Sequence, residues 1–182
     1  MKKSNLILVI FIIVIMVSSV IGFIYSPGDN NALSQNSIDY KGFNFQLTTD
    51  NRYVININGN NIIFDNNPSA LEDINIPDFQ ITQDKIYLIF NPEERDDNLD
   101  YIMSKIYLTL QVKGVRPVLA CSKEEDCPNE LPIKDCSSEA FYFNRDNITN
   151  IYKDNSCIVL EGDNINLNKY VDKISLVLIG AV

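Results

Sequence analysis

The chain has 182 residues and a formal charge of −9, with no histidine and no tryptophan. The missing imidazole excludes Ser-His-Asp and Cys-His catalysis, histidine-ligated zinc and histidine proton shuttles. Without Lys2 and Lys3 the remainder carries −11, which argues against nucleic acid and anionic lipid headgroups as partners, since both recruit basic surface.

Leu6 to Tyr25 reads LILVIFIIVIMVSSVIGFIY, with no charge and two serines. About 20 apolar residues at roughly 1.5 Å each span a hydrocarbon core of roughly 30 Å, and a helix satisfies its own backbone groups there. Lys2 and Lys3 precede the stretch and the first charge after it is Asp29. The positive-inside rule therefore predicts a single-pass cell-membrane protein, with its N-terminus cytoplasmic and its C-terminal domain outside. A cleaved signal peptide is the rival, but its apolar region is shorter and ends in small residues, unlike Gly22-Phe23-Ile24-Tyr25-Ser26 here. The expected organisation is a cytoplasmic tail over 1–5, a signal-anchor over 6–25, a linker rich in Asn, Ser and Gln over 26–38, and one extracytoplasmic domain over 39–182.

The domain opens on β patterns. Phe43, Phe45 and Leu47 alternate with Asn44, Gln46 and Thr48, as in a half-buried strand. Val54 to Asn58 alternates likewise, Asn58-Gly59 signals a two-residue hairpin, and Asn60 to Phe64 returns. A short helix is predicted from Pro68 to about Asp73. Ile86 to Phe90 is a continuous apolar run, expected of a strand covered on both faces, and Asn91-Pro92 ends it.

Leu99, Ile102, Met103, Ile106 and Leu110 share one helix face, with Asp97 or Asn98 to cap its start and Gly114 past its end. Val115 to Cys121 is the next strand, with Pro117 near its beginning or at an edge. Strand, helix and strand in that order make a βαβ unit with parallel strands. After a polar segment, Ser122 to Ser138, two strands are expected at Ala140–Phe143 and Cys157–Leu160. Leu167, Tyr170, Val171, Ile174, Val177 and Leu178 then mark an amphipathic C-terminal helix. The expected class is α/β (α+β): a transmembrane helix, an antiparallel hairpin or meander, a small βαβ-containing sheet and the final helix.

The runs INGNNIIFDNNPSALEDI (57–74), DNLDYIMSKIYL (97–108) and SCIVLEGD (156–163) resemble parts of small membrane-anchored archaeal proteins of unknown function. The resemblance implies the anchor, the hairpin, the βαβ unit and a late cysteine before an apolar strand. It carries over no functional residue.

Cys121, Cys127, Cys136 and Cys157 all fall in the part expected outside, where an even number suggests two disulfides worth about 2–4 kcal/mol each. Three pairings are possible. If the Cys157 strand is a hairpin partner returning antiparallel to its neighbours, Cys157 lies near Cys121, and Cys127 and Cys136 close the intervening loop. That nested pairing is the expected one. A four-cysteine zinc site and a thiol redox centre are the rivals, yet neither a C-x2-4-C pair nor a C-x-x-C is present.

Glu93, Glu94, Asp96 and Asp97 follow a buried strand and precede its helix, at the edge where α/β folds bind ligands. They are weak candidates for holding calcium or magnesium, against the ordinary role of acids at a helix N-terminus. Glu124, Glu125 and Asp126 read as a solvated charge run. Glu161 and Asp163 carry no spacing that would set up a glycosidase pair. Asn147-Ile148-Thr149 is an N-glycan acceptor tripeptide in an expected turn.

No catalytic residue, metal ligand or cofactor is assigned. The expected function is a membrane-anchored extracytoplasmic interaction or structural module, held through residues 6–25 and facing an unknown protein partner. The alternatives are a carboxylate- or metal-dependent hydrolase or transferase, and an extracytoplasmic thiol oxidoreductase.

Overall fold

Alternating apolar and polar residues bring the first four strands together as an antiparallel meander. The computed structural model describes residues 37–182, and the expected anchor over 6–25 and most of the linker lie outside them. No helix among the described residues is long and apolar enough to cross a membrane. The described part is of mixed α+β class, with two sheets and two helices.

The meander runs β1 (Ser37–Tyr40), β2 (Phe43–Leu47), β3 (Tyr53–Ile57) and β4 (Asn60–Phe64). Its first strand starts inside the stretch expected to be linker. Asn58 and Gly59 both take positive φ, 53° and 84°, as a type I′ turn requires. Inward-facing Phe45, Ile55, Ile62 and Phe64 are buried, and Asn44, Gln46, Asn56 and Asn61 between them are exposed. The short helix expected from Pro68 is a 3-10 helix over Pro68–Leu71, capped by Asn67.

The second sheet has the order β6-β5-β7-β9-β8. It comprises β5 (Lys85–Phe90), β6 (Arg116–Cys121), β7 (Ala140–Arg145), β8 (Asn150–Asp154) and β9 (Cys157–Gly162). The helix α1 (Asp97–Val112) links β5 to β6 as a βαβ unit, and its strands are parallel. Asp96, not Asp97 or Asn98, caps it, accepting from the Leu99 N–H. Pro117 sits on the edge strand β6, where its missing N–H breaks no ladder bond on the outer side.

The second helix, α2 (Asn164–Ile179), follows β9, is capped by Asp163, and ends at Gly180 with φ 83°. Leu99, Ile106 and Leu110 of α1 and Leu167, Val171 and Ile174 of α2 pack on Leu88, Phe90, Phe141, Phe143 and Leu160. Each such side chain contributes about 1.5–3 kcal/mol through burial. The far side of the helix pair meets the meander, through Leu176, Ile179 and Val112 against Phe45, Ile62 and Phe64. The helices are thus a middle layer between two sheets, and α2 is buried continuously from Val171 to Leu176.

Two expectations about the last strands are corrected. The Cys157 strand is parallel to β7, not antiparallel, because β8 lies between them in sequence and adds a second reversal. The disulfides accordingly join Cys121 to Cys127 and Cys136 to Cys157, not Cys121 to Cys157 and Cys127 to Cys136. Cys121 is level with Phe90 and Phe143, whereas Cys157 is level with Ala140 at the other end of the strands. With two strands between them, β6 and β9 are about 14 Å apart, beyond the reach of a disulfide.

The polar segment 122–138 joins parallel strands on either side of β5. It is tied to β6 by Cys121 N–H to the Pro132 carbonyl and Lys134 N–H to the Cys121 carbonyl, and to β9 by Ser156 N–H to the Cys136 carbonyl. Cys136 packs with Ile89, Ala120, Ala140, Cys157 and Val159 on the sheet face away from the helices, so β5 is covered on both sides.

Candidate functional site

The carboxyl edge of the parallel sheet holds the acids singled out in the sequence. Asn91 accepts from the Glu93 N–H and Pro92 opens a 3-10 turn, which places Glu93 and Glu94 above the end of β5. Asn91 Nδ2 donates to Glu94 Oε1 at 2.7 Å. Arg145, at the end of β7, reaches across to donate from Nη1 to the Glu94 carbonyl at 2.8 Å and from Nη2 to Asp96. That guanidinium, with the Leu99 N–H, lowers the Asp96 carboxyl from its ordinary 3.8 to about 2.

The remaining acids have separate partners. Glu93 pairs with Lys123 at 2.6 Å, which raises the ammonium pKa. Arg95 pairs with Asp100 at 2.8 Å, and Asp97 is exposed in the first turn of α1. Glu93, Glu94 and Asp96 are therefore each held by a separate contact, and Asp97 stands exposed. Among the described residues no group of three or more His, Cys, Asp or Glu is placed to hold a metal ion. Glu124, Glu125 and Asp126 are exposed. Glu161 accepts from Asn144 Nδ2 at 2.7 Å while Asp163 caps α2, so these two acids serve separate structural contacts.

Beside this edge is a concavity of about 330 Å³ lined by Arg145, Asp146, Asn147, Gly162, Asp163 and Asn164. Arg145 Nε and Asn164 Oδ1 are closed off from solvent without a hydrogen-bond partner among the described residues. Asn147 is exposed on the rim, in the turn between β7 and β8. A more apolar groove of about 370 Å³ runs beside α1, past Met103, Tyr107, Leu108 and Leu119. A third concavity, of about 560 Å³, lies at the opposite end of the sheet between Phe79 and Lys153.

A buried polar cluster joins residues far apart in the sequence. Lys105 of α1 is 5 % exposed, and its Nζ lies 2.7 Å from Asp65 Oδ2 and 2.5 Å from Asp172 Oδ1. Asp172, on α2, is wholly buried; its Oδ2 accepts from Asp65 N, Asn66 N and Asn66 Nδ2 at 2.8–3.0 Å. The Oδ1 contact to Lys105 is off hydrogen-bond geometry and is held by charge alone. Burial raises the Asp172 carboxyl above its ordinary value, with Lys105 and the Asn66 donors pulling the other way. Burial also pushes Asp65 up, but Lys105, Asn168 and Tyr101 outweigh it and leave the carboxyl below its ordinary value. Asn168 and Tyr101 close the ring by donating to Asp65 at 2.9 and 2.8 Å.

The cluster joins the end of β4 to both helices. With every member engaged by its neighbours, its geometry is that of a polar clamp between layers, and the one signal for it in the sequence was charge at helix positions that the apolar pattern left aside. Comparisons with protein families, with curated proteins and with solved structures each find no match for this chain.

Proposed function

We propose that this protein is a membrane-tethered extracytoplasmic module with a structural or interaction role. The observation that carries the reading is the pinning of the 122–138 crossover by the Cys121–Cys127 and Cys136–Cys157 bridges. A long polar connection that replaces a crossover helix has little apolar surface to hold it, and disulfides persist in oxidising compartments outside the cytoplasm. The apolar stretch 6–25, preceded by Lys2 and Lys3, supplies the tether in this reading. The tying of Glu93, Glu94 and Asp96 to Lys123, Asn91 and Arg145 supports a scaffold over a reactive carboxylate centre.

The test is the topology of the full chain in intact cells. The expected result is retention in the membrane pellet after alkaline extraction, with cleavage by protease added from outside. Recovery in the soluble fraction, or protection from external protease, overturns the reading.

A further inference from the structure

The turn between β7 and β8 carries the tripeptide Asn147-Ile148-Thr149 on the surface. Residues 146–149 are all exposed, and Ile148, at 64 % exposure, projects without a packing partner. Asp146 Oδ1 accepts from the Ile148 N–H at 3.2 Å, a local Asx turn that shapes the backbone around Asn147. The Asn147 side chain makes no hydrogen bond among the described residues, whereas Thr149 is held by Asn166 Nδ2 at 3.3 Å. Of all the asparagines in the chain, Asn147 alone heads an Asn-x-Ser/Thr tripeptide whose middle residue is not proline. An asparagine-rich chain meets that tripeptide by chance, so placement carries the argument.

The second observation is the adjoining concavity of about 330 Å³, which Asn147 lines. This open space beside the acceptor leaves room for the first sugar of a glycan. We propose that Asn147 is the acceptor of an N-linked glycan, an inference that rests on export of the domain. The Asn147 amide nitrogen forms a bond to the anomeric carbon of a lipid-diphosphate-linked oligosaccharide. The bond from that carbon to the diphosphate oxygen breaks, the amide proton passes to a base of the transferase, and the lipid diphosphate leaves. The glycan then shields Ile148 and the rim of the sheet edge.

Full chain from its native cells, digested with trypsin, gives Asn147 in the peptide 146–153, which has no other acceptor tripeptide. The expected result is a glycan mass on that peptide, lost in Thr149→Ala and kept in Thr149→Ser. A control, Asn60→Thr, completes an acceptor tripeptide at the exposed Asn58-Gly59 hairpin and reports export independently. A glycan at Asn58 with none at Asn147 overturns the proposal alone; neither site modified overturns it together with the export reading.

Discussion

Replacing Cys136 and Cys157 by alanine together should cost more stability than replacing Cys121 and Cys127. The two bridges close loops of 21 and 6 residues in sequence separation. On the chain-entropy relation these contribute about 3.4 and about 2.4 kcal/mol by restricting the unfolded chain. For a domain of this size the entropy of unfolding is roughly 0.3 kcal/mol per kelvin, so the expected falls in melting temperature are about 11 °C and about 8 °C. Cys121 and Cys157 are both fully buried, so the packing loss is common to the two pairs and the gap rests on loop length. Alanine is the right replacement, because a serine hydroxyl in either site adds an unpaired polar group. Thermal melts of the detergent-solubilised full chain, followed by circular dichroism, read the difference. A fall below about 3 °C for the Cys136/Cys157 pair, or a larger fall for the other pair, refutes the reasoning.

Asp172→Ala leaves Lys105 buried beside one remaining carboxylate and strips the acceptor from Asp65 N and Asn66 N; the expected cost is about 3–5 kcal/mol by urea unfolding. Lys105→Met combined with Asp172→Leu should recover part of that loss, and a double variant worse than the single one would count against the clamp. Asp96 has a folded pKa of about 2, below its unfolded value, so its contribution to stability is present above pH 4 and lost as pH falls from about 4 toward 2. Asp96→Asn should flatten the acid limb of the melting-temperature profile in that window, and an unchanged limb would place the acid sensitivity elsewhere. Gly59→Ala, at φ 84° with open space around the site, should cost about 1 kcal/mol through backbone strain alone. A neutral result in urea unfolding would mean the type I′ turn is not kept in solution.

Elements are legible where apolar side chains meet a core. Phe43 to Leu47, Asn60 to Phe64 and the Leu99-to-Leu110 face show their period because one side of each is buried, and Ile86 to Phe90 reads as a continuous apolar run because β5 is covered on both sides. The edge strand β8, Asn150–Asp154, buries almost nothing, so selection for apolar side chains left no pattern to read. Missing it reversed the direction assigned to β9, and the disulfide pairing followed that error. The strand β1 hid for the same reason, with Ile38 and Tyr40 as its only apolar residues.

The polar clamp was illegible because Lys105 and Asp172 meet only in three dimensions, with Asp65 more than a hundred residues from Asp172 in sequence. At the sheet edge the acids Glu93 to Asp97 were visible, but Arg145 and Lys123, which tie up three of their contacts, arrive from later connections. A carboxylate cluster in one dimension became a set of separate contacts in three.

The most direct test of the exported, disulfide-pinned scaffold is a disulfide map of the full chain, with thiols alkylated as cells are broken. Trypsin places the four cysteines in four separate peptides, ending at Lys123, Lys134, Arg145 and Lys169, so every pairing gives a distinct linked mass. The expected result is no free thiol, with Cys121 joined to Cys127 and Cys136 to Cys157. Alkylated free cysteines, or a Cys121–Cys157 linkage, would contradict it.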